Sequence, residues 1–365
     1  MNKKFYIGLM SGTSMDAVDA ALVSFQKKRA QLIETHSIPT PEKIKSSLQI
    51  LLHNPHIPLS LLGETDTAMG KLFAEAALQL LSKTHISKND IAAIGSHGQT
   101  LYHAPHGENP FTLQIGDPNI IAATSGITTV ADFRRKDMAL NGQGAPLAPA
   151  FHAYLFPRKK HNQWIVNIGG IANVTRIPAN EQEEIIGFDI GPGNTLLDQW
   201  CEKHTGLPYD NRGEWAKQGR CDEKLLQQWL ADAYFQKTHP KSTGREYFNL
   251  TWFSKNIDAL KPVDVQSTLT ELTAKSIAFS VTNTNNTGTI FICGGGAHND
   301  YLIERLSALC HPLRVTTTAE MGIAPKWIEA MMFAWLAKQT LEKKPGNLPS
   351  VTGASQKAIL GAVVY

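Results

Sequence analysis

Twice along this chain an apolar run meets a short turn of glycine and small residues and resumes as a second apolar run, with a third close behind. The first instance is residues 5–10, the turn Ser11-Gly12-Thr13-Ser14-Met15-Asp16, then 17–25 and 32–38. The second is residues 164–168, the turn Gly169-Gly170, then 171–177 and 184–188. Apolar runs bounded by Gly, Ser and Asp read as buried strands. Two three-strand meanders in one chain predict two similar lobes with a cleft between them.

Downstream of each meander, helix and strand alternate. Thr40-Pro41-Glu42 has the chemistry of a helix start, and Leu61, Leu62, Ala68, Leu72, Ala76 and Leu80 recur at helical spacing. Strands are expected at 91–95, 111–115 and 127–131, with a short helix after Asp117-Pro118. In the second half a helix begins near Thr195 and another covers 265–281. Strand 289–293, the turn Gly294-Gly295-Gly296-Ala297, helix 300–309, strand 313–317 and helix 326–341 complete it. This is the α/β class. Prolines cluster between Pro146 and Pro157, so the expected lobes are 1–148 and 149–365. A chain of 365 residues, 42% hydrophobic, fills two such lobes without disulfide or metal staples.

Composition narrows the function. A formal net charge of +3 argues against a dedicated nucleic-acid surface. Cys201, Cys221, Cys293 and Cys310 show no CxxC or His/Cys ligand spacing, so reduced thiols are expected. His97, His103, His106 and His152 make no zinc pattern. The apolar opening is too short for a secretory signal and no stretch is long enough to span a membrane, so a cytoplasmic protein is expected. GxxxxGK[ST] is absent, as are the HRD and DFG signatures, which excludes P-loop and protein kinases.

The three glycine turns carry the chemistry. Turns at 12–16 and 169–170 let backbone amides approach phosphate oxygens, with hydroxyls as further donors. The third, Gly294-Gly295-Gly296, permits close packing of a flat ligand such as adenine. Two lobes with two phosphate hairpins and a late adenosine turn resemble the superfamily of sugar kinases, heat-shock ATPases and actin. Within it the chain resembles the anhydro-N-acetylmuramic acid kinases over nearly its whole length. The resemblance rests on Gly8-Leu9-Met10-Ser11-Gly12-Thr13-Ser14-Met15-Asp16, Gly95-Ser96-His97-Gly98-Gln99-Thr100 and Ala131-Asp132-Phe133-Arg134-Arg135. It extends through Gly142-Gln143-Gly144-Ala145-Pro146-Leu147, Gly187-Phe188-Asp189-Ile190-Gly191-Pro192-Gly193-Asn194 and Lys241-Ser242-Thr243-Gly244-Arg245-Glu246. Trp327-Ile328-Glu329-Ala330 and Pro345-Gly346-Asn347-Leu348-Pro349 close it.

That resemblance implies two actin-like, ribonuclease H-like lobes, a homodimer, and ATP with Mg²⁺ as the phosphoryl donor. The implied acceptor is 1,6-anhydro-N-acetylmuramic acid: water opens the anhydro bridge while the γ-phosphoryl goes to O6. A glycosidase needs two carboxyl groups. Here the leaving oxygen is captured by phosphorus, so one ionised carboxylate suffices as base, and Asp serves near neutral pH. Asp189, before a Gly-Pro-Gly turn, is the candidate from its position and from the resemblance; a helix-capping Asp is its bland alternative. Asp16 and Asp19, beside the first turn, better suit Mg²⁺ or its waters, with Asp16 the expected metal contact through water. Expected ATP contacts are Gly12, Thr13, Ser14, Met15, Asp16, Ala17, Val18 and Asp19 in the first lobe. In the second they are Asn167, Gly169, Gly170, Asn173, Gly294, Gly295, Gly296 and Asn299. The sugar is expected to meet His97, Thr100, Arg134, Asp189 and Glu329, with Arg134 suited to its lactyl carboxylate. An ordinary hexose kinase and an actin-like ATPase remain the competing functions.

Overall fold

The computed structural model describes residues 5–12, 14–26, 29–54, 56–239, 241–245, 247–253, 257, 259–282 and 287–365. They form two compact units, Met1–Leu155 with Trp327–Tyr365, and Phe156–Lys326. Thr13, expected among the ATP contacts, lies outside the described residues.

The first unit begins with the meander β1 (Phe5–Ser11), β2 (Ala17–Gln26) and β3 (Arg29–Pro39). Helices α1 (Glu42–His53) and α2 (Leu59–Ser82) lead to β4 (Ile91–Ser96). A separate hairpin, β5 (Gln99–Ala104) and β6 (Phe111–Ile115), precedes α3 (Pro118–Ser125) and β7 (Thr129–Ala131). Short helices α4 (Arg135–Met138) and α5 (Ala148–Leu155) end this part. Strand β1 pairs antiparallel with β2 and parallel with β4, which makes it central. A strand covered on both faces reads as a continuous apolar run, and Ile7 and Leu9 lie in the core beside Met69, Leu72 and Phe73 of α2.

The second unit repeats the pattern. Its meander is β8 (Asn162–Ile168), β9 (Ile171–Ile177) and β10 (Ile186–Pro192), followed by α6 (Thr195–Thr205). Helices α7 (Glu223–Leu230), α8 (Ala233–Gln236), α9 (Leu250–Phe253) and α10 (Pro262–Thr282) lead to β11 (Gly288–Cys293). Helix α11 (Asp300–Leu309) and β12 (Arg314–Thr317) follow. Trp164, Val166 and Ile168 of β8 pack against Ile277 and Val281 of α10 and Leu302 and Leu306 of α11.

The chain then returns to the first unit as α12 (Ile328–Leu341), α13 (Pro349–Thr352) and β13 (Ala362–Val364). The sheet orders are β3-β2-β1-β4-β7-β13 and β10-β9-β8-β11-β12. Apart from β13, the two agree strand for strand in the ribonuclease H-like order.

The sequence reading placed 149–365 in one lobe; the structure instead lays Trp327–Tyr365 on the first sheet. Two glycines explain this. A Cβ on Gly8 would strike the Ala330 carbonyl, and one on Gly95 the Phe333 carbonyl. Only bare backbone on β1 and β4 lets α12 lie this close. Asp137, fully buried, fixes the tail further on: its carboxylate accepts from Asn347 Nδ2 at 2.7 Å, Thr352 Oγ1 at 2.8 Å and Gly144 N at 2.8 Å. Removing such a buried acceptor would strand three donors. All four cysteines are free thiols, and Cys201, Cys293 and Cys310 are buried. Among the described residues no helix is long and apolar enough to cross a membrane.

Candidate active site

In the second unit β8 ends at Ile168 and β9 starts at Ile171, so Gly169-Gly170 is the whole turn. Three amides clamp it from outside. Gly193 N and Thr195 N donate to Gly170 O at 2.9 and 3.1 Å, and Asn194 N donates to Gly169 O at 2.8 Å. The hydroxyl of buried Thr273 stands 3.2 Å from both the Pro192 and Gly193 carbonyls, fixing the clamping segment in turn. The Arg245 guanidinium lies so close to Gly170 that a Cβ there would come within 2.8 Å of it. Gly294 has φ +77°, and a side chain on it would meet Asn167 Oδ1 and the Ile168 carbonyl. The adenosine turn expected from the sequence thus rests directly on the end of β8, where Gly294, Gly295 and Gly296 join Asn167, Gly169 and Gly170.

Cross-strand register makes a polar row on one face. Asn167 lies opposite Asn173, and Asn173 opposite Asp189. Directly paired residues share a face of the sheet. The sequence reading ended the strand at Asp189; β10 instead runs on to Pro192, with a register shift between Asp189 and Gly191. Such a bulge re-aims the side chain next to it. Asp189 Oδ2 accepts from the Thr243 amide at 3.1 Å, and the Asp189 amide donates to Lys241 O at 3.1 Å. Tyr234 donates its hydroxyl to the Asp189 carbonyl at 2.7 Å. Burial first, and Asp189 second, push that phenol well above its ordinary range, so it stays a donor. Asp189 does not cap a helix; Asn194 occupies that position on α6.

Asn299 caps α11, accepting from Leu302 N at 3.0 Å. It also lines a cavity of 350 Å³ with Asn194, Asp198, Tyr209 and Gly295. Asp198, Tyr209 and Arg245 were given no role from the sequence. Arg245 could have been found, because it falls within the motif at 241–246. Asp198 and Tyr209 carry no comparable signal.

In the first unit the turn after β1 places Met15 at φ +56°, with Met15 N donating to Gly12 O at 3.2 Å. Ser11 is buried and donates to Gln99 Oε1 at 2.7 Å, tying this turn to β5. Met15 and Val18 put their side chains into the core, so they offer a ligand only backbone. Asp16 is 64% exposed and pairs with Lys45 at 2.9 Å. Ser14, Ala17 and Asp19 complete the described part of the expected first-lobe set.

The expected sugar residues of this unit gather around one guanidinium. Arg134 donates through one terminal nitrogen to Gly144 O and through the other to His97 Nε2, both at 2.9 Å. Because Arg has no acceptor, Nε2 must be the bare nitrogen and the His97 proton sits on Nδ1. Burial, then Arg134, lowers His97 to about 3, so the ring is neutral; the Ser11 and Gly98 backbone opposes this weakly. Burial lowers Arg134 to about 10 against the pull of Glu329, which leaves it cationic at neutral pH. Glu329 opens α12 and is exposed by area, yet protein crowds its carboxyl. Desolvation raises it above the usual carboxylate range, Arg134 opposes the rise, and Asp19 adds to it. Thr100 Oγ1 accepts from Gln114 Nε2 at 3.2 Å, which leaves its own proton for a ligand.

Two units with one ribonuclease H-like strand order, each presenting a glycine turn at the tip of its meander, define an actin-like α/β fold. The Anhydro-N-acetylmuramic acid kinase family profile matches residues 4–365. A relative of that name from Coxiella burnetii (strain Dugway 5J108-111) is 58% identical over 368 residues, covering 100% of this chain and 98% of its own. One from Shewanella pealeana is 50% identical over 365 residues, with 99% of each chain covered. Among solved structures, the chain is similar to a ROK family glucokinase from Streptomyces griseus in complex with glucose and AMPPNP, at 14% identity, TM-score 0.39, and 92% and 99% coverage. The chain belongs to the anhydro-N-acetylmuramic acid kinase family.

Proposed function

We propose that this protein uses ATP to phosphorylate 1,6-anhydro-N-acetylmuramic acid, with water opening the anhydro bridge, in the recycling of cell-wall peptidoglycan. The observation that carries this reading is the single carboxylate of Asp189, in a row with Asn167 and Asn173 beside a clamped glycine turn. Water attacks C1 and gives one proton to Asp189. The C1–O6 bond breaks, O6 bonds to the γ-phosphorus, and the bond from that phosphorus to the bridging oxygen of ADP breaks. The second water proton remains on the new anomeric hydroxyl. The oxygen that leaves carbon is the one that takes phosphorus, so no second carboxyl is required as acid.

Gly169-Gly170, with Arg245 against it, is the phosphate turn, and Gly294–Gly296 with Asn299 receives the nucleoside. Asn167 and Asn173 supply amide donors on the Asp189 face. In the first unit, the amides and hydroxyl at 12–16 complete the phosphate contacts. The Arg134 fork takes the lactyl carboxylate; each terminal nitrogen keeps a second N–H after its protein bond. His97, Thr100 and Glu329 position the sugar hydroxyls and amide. When bound with the nucleotide, Mg²⁺ would supply neutralisation of the phosphate charge. The exposed Asp16 carboxylate suits contact with its waters. We assign the protein to the cytoplasm, where ATP is supplied, and to a homodimer; a monomeric mass in sedimentation would reject the latter.

The test is one reaction in ¹⁸O-water with Mg-ATP and the anhydro-sugar. The product should gain one phosphate and one water, with the label at C1. Phosphate gained without water would mean an ordinary hexose kinase, and ATP hydrolysis indifferent to sugar would mean an actin-like ATPase.

A further inference from the structure

The cavity beside the Gly294–Gly296 turn is acidic where a phosphate site should be basic. Asp198 and Asp210 both face it. Most of its polar side chains are already engaged. Asp210 accepts from the Trp215 and Ala216 amides at 2.9 Å each. Asn194 Nδ2 donates to Ile168 O at 3.2 Å, Asn299 caps α11, and Arg212 is paired with Asp300. Asp198, half-buried in the first turn of α6, is different: no hydrogen bond or ion pair among the described residues involves its carboxylate.

A carboxylate is acceptor-only, and one left without donors in a confined site is costly. The site calls for a ligand that brings donors and no negative charge at that end. A nucleoside triphosphate has that polarity. Its phosphates belong at Gly169-Gly170, against Arg245, and its nucleoside end carries the 6-amino group of adenine and two ribose hydroxyls. Arg245 acts electrostatically on Asp198 as well as lying on Gly170, so one cation stands between the two ends.

Resting on the kinase reading above, we propose that Asp198 is the carboxylate that reads the nucleoside, accepting a hydrogen bond from the adenine 6-amino group or the ribose hydroxyls. Tyr209, 57% exposed at the rim, offers a ring face to the base. Burial pushes Asp198 up to about 7; Arg245 opposes this, while Asp210 and Glu202 reinforce it. Donors on the ligand favour the ionised form, so nucleotide affinity should hold above about pH 7 and fall below it. Arg212 and His298 also face the cavity.

The test measures dissociation constants of ATP, inosine triphosphate and 2′,3′-dideoxy-ATP on wild type, Asp198→Ala and Asp198→Asn from pH 6 to 8.5. One of the two analogues should bind wild type about tenfold or more weakly than ATP, and that penalty should vanish in Asp198→Ala. The wild-type to Asp198→Asn affinity ratio for ATP should shrink about tenfold from pH 8 to pH 6. Taking the ratio removes titration of the phosphates. Penalties that persist in Asp198→Ala, or a ratio flat with pH, would overturn the proposal while leaving the kinase reading intact. A wild-type protein that binds no ATP would overturn both.

Discussion

In the first unit the meander turn runs from Gly12 to Asp16, hydroxyl-bearing and acidic, with Asp16 exposed and paired to Lys45. In the second it is Gly169-Gly170 alone, held by three amides from the Gly193–Thr195 segment. The rows beneath the turns differ in the same sense. Met10 lies opposite Asp19 and Asp19 opposite Ser37, where the other unit has Asn167, Asn173 and Asp189. One topology thus carries two chemistries. The first unit sets a long turn over Met10, a carboxylate and a hydroxyl; the second sets a short clamped turn over two amides and a carboxylate. The strand order is what repeats, and the side chains at equivalent register decide the task.

The sharpest way to break this contrast is at the third strand of each meander. Asp189→Asn keeps shape and removes the base, so kcat should fall on the order of 10²-fold or more with the KM values for ATP and sugar little changed. Ser37→Ala, at the equivalent position, should leave kcat within about twofold. Near-normal turnover in Asp189→Asn would end its assignment as base.

Next in size is the division of ligands between the units. Arg134→Ala should weaken sugar binding by about 10- to 100-fold and leave ATP binding alone. An analogue lacking the lactyl carboxylate should bind wild type and variant about equally. If wild type and variant reject that analogue equally strongly relative to the parent sugar, Arg134 does not hold the carboxylate.

The smallest effect separates a packed turn from an open one. Gly294→Ala forces a side chain into Asn167 and Ile168 at positive φ, and should destabilise the fold by about 1–3 kcal/mol. Gly12→Ala meets nothing within 4 Å and should shift stability by less than about 0.5 kcal/mol. Equal losses in denaturant melts would erase the distinction between the turns.

Both meanders were legible because their first strands, β1 and β8, are buried apolar runs that end at a glycine-containing turn, a signal local enough to survive without neighbours. The same holds for α11, which spans Asp300–Leu309 as expected from the sequence. The place of Asp189 at the end of an apolar strand was legible, although the bulge that continues β10 past it was not. The destination of the last segment was illegible. Gly8 and Gly95 read as turn or motif glycines, while their task is to admit α12, more than two hundred residues away in sequence. The cavity of Asp198 and Tyr209 escaped for another reason. It is built where α6 gives way to irregular chain, and neither a 3.6 nor a 2.0 period marks which side chains converge there.

The buried knot at Asp137 reaches forward to Asn347 and Thr352, and α12 covers β1 and β4 only after the whole second unit has been written. The order of folding therefore reverses the order of synthesis. On the ribosome the segment made first waits, one face of its central strands bare, while the segment made second can close on itself. The cluster around Arg134, which draws on Glu329, is among the last parts of the nascent chain to exist. A nascent chain stalled on a linker fused after Lys326, long enough for the second unit to clear the exit tunnel, should hold a protease-resistant second unit and a first unit still open to cleavage.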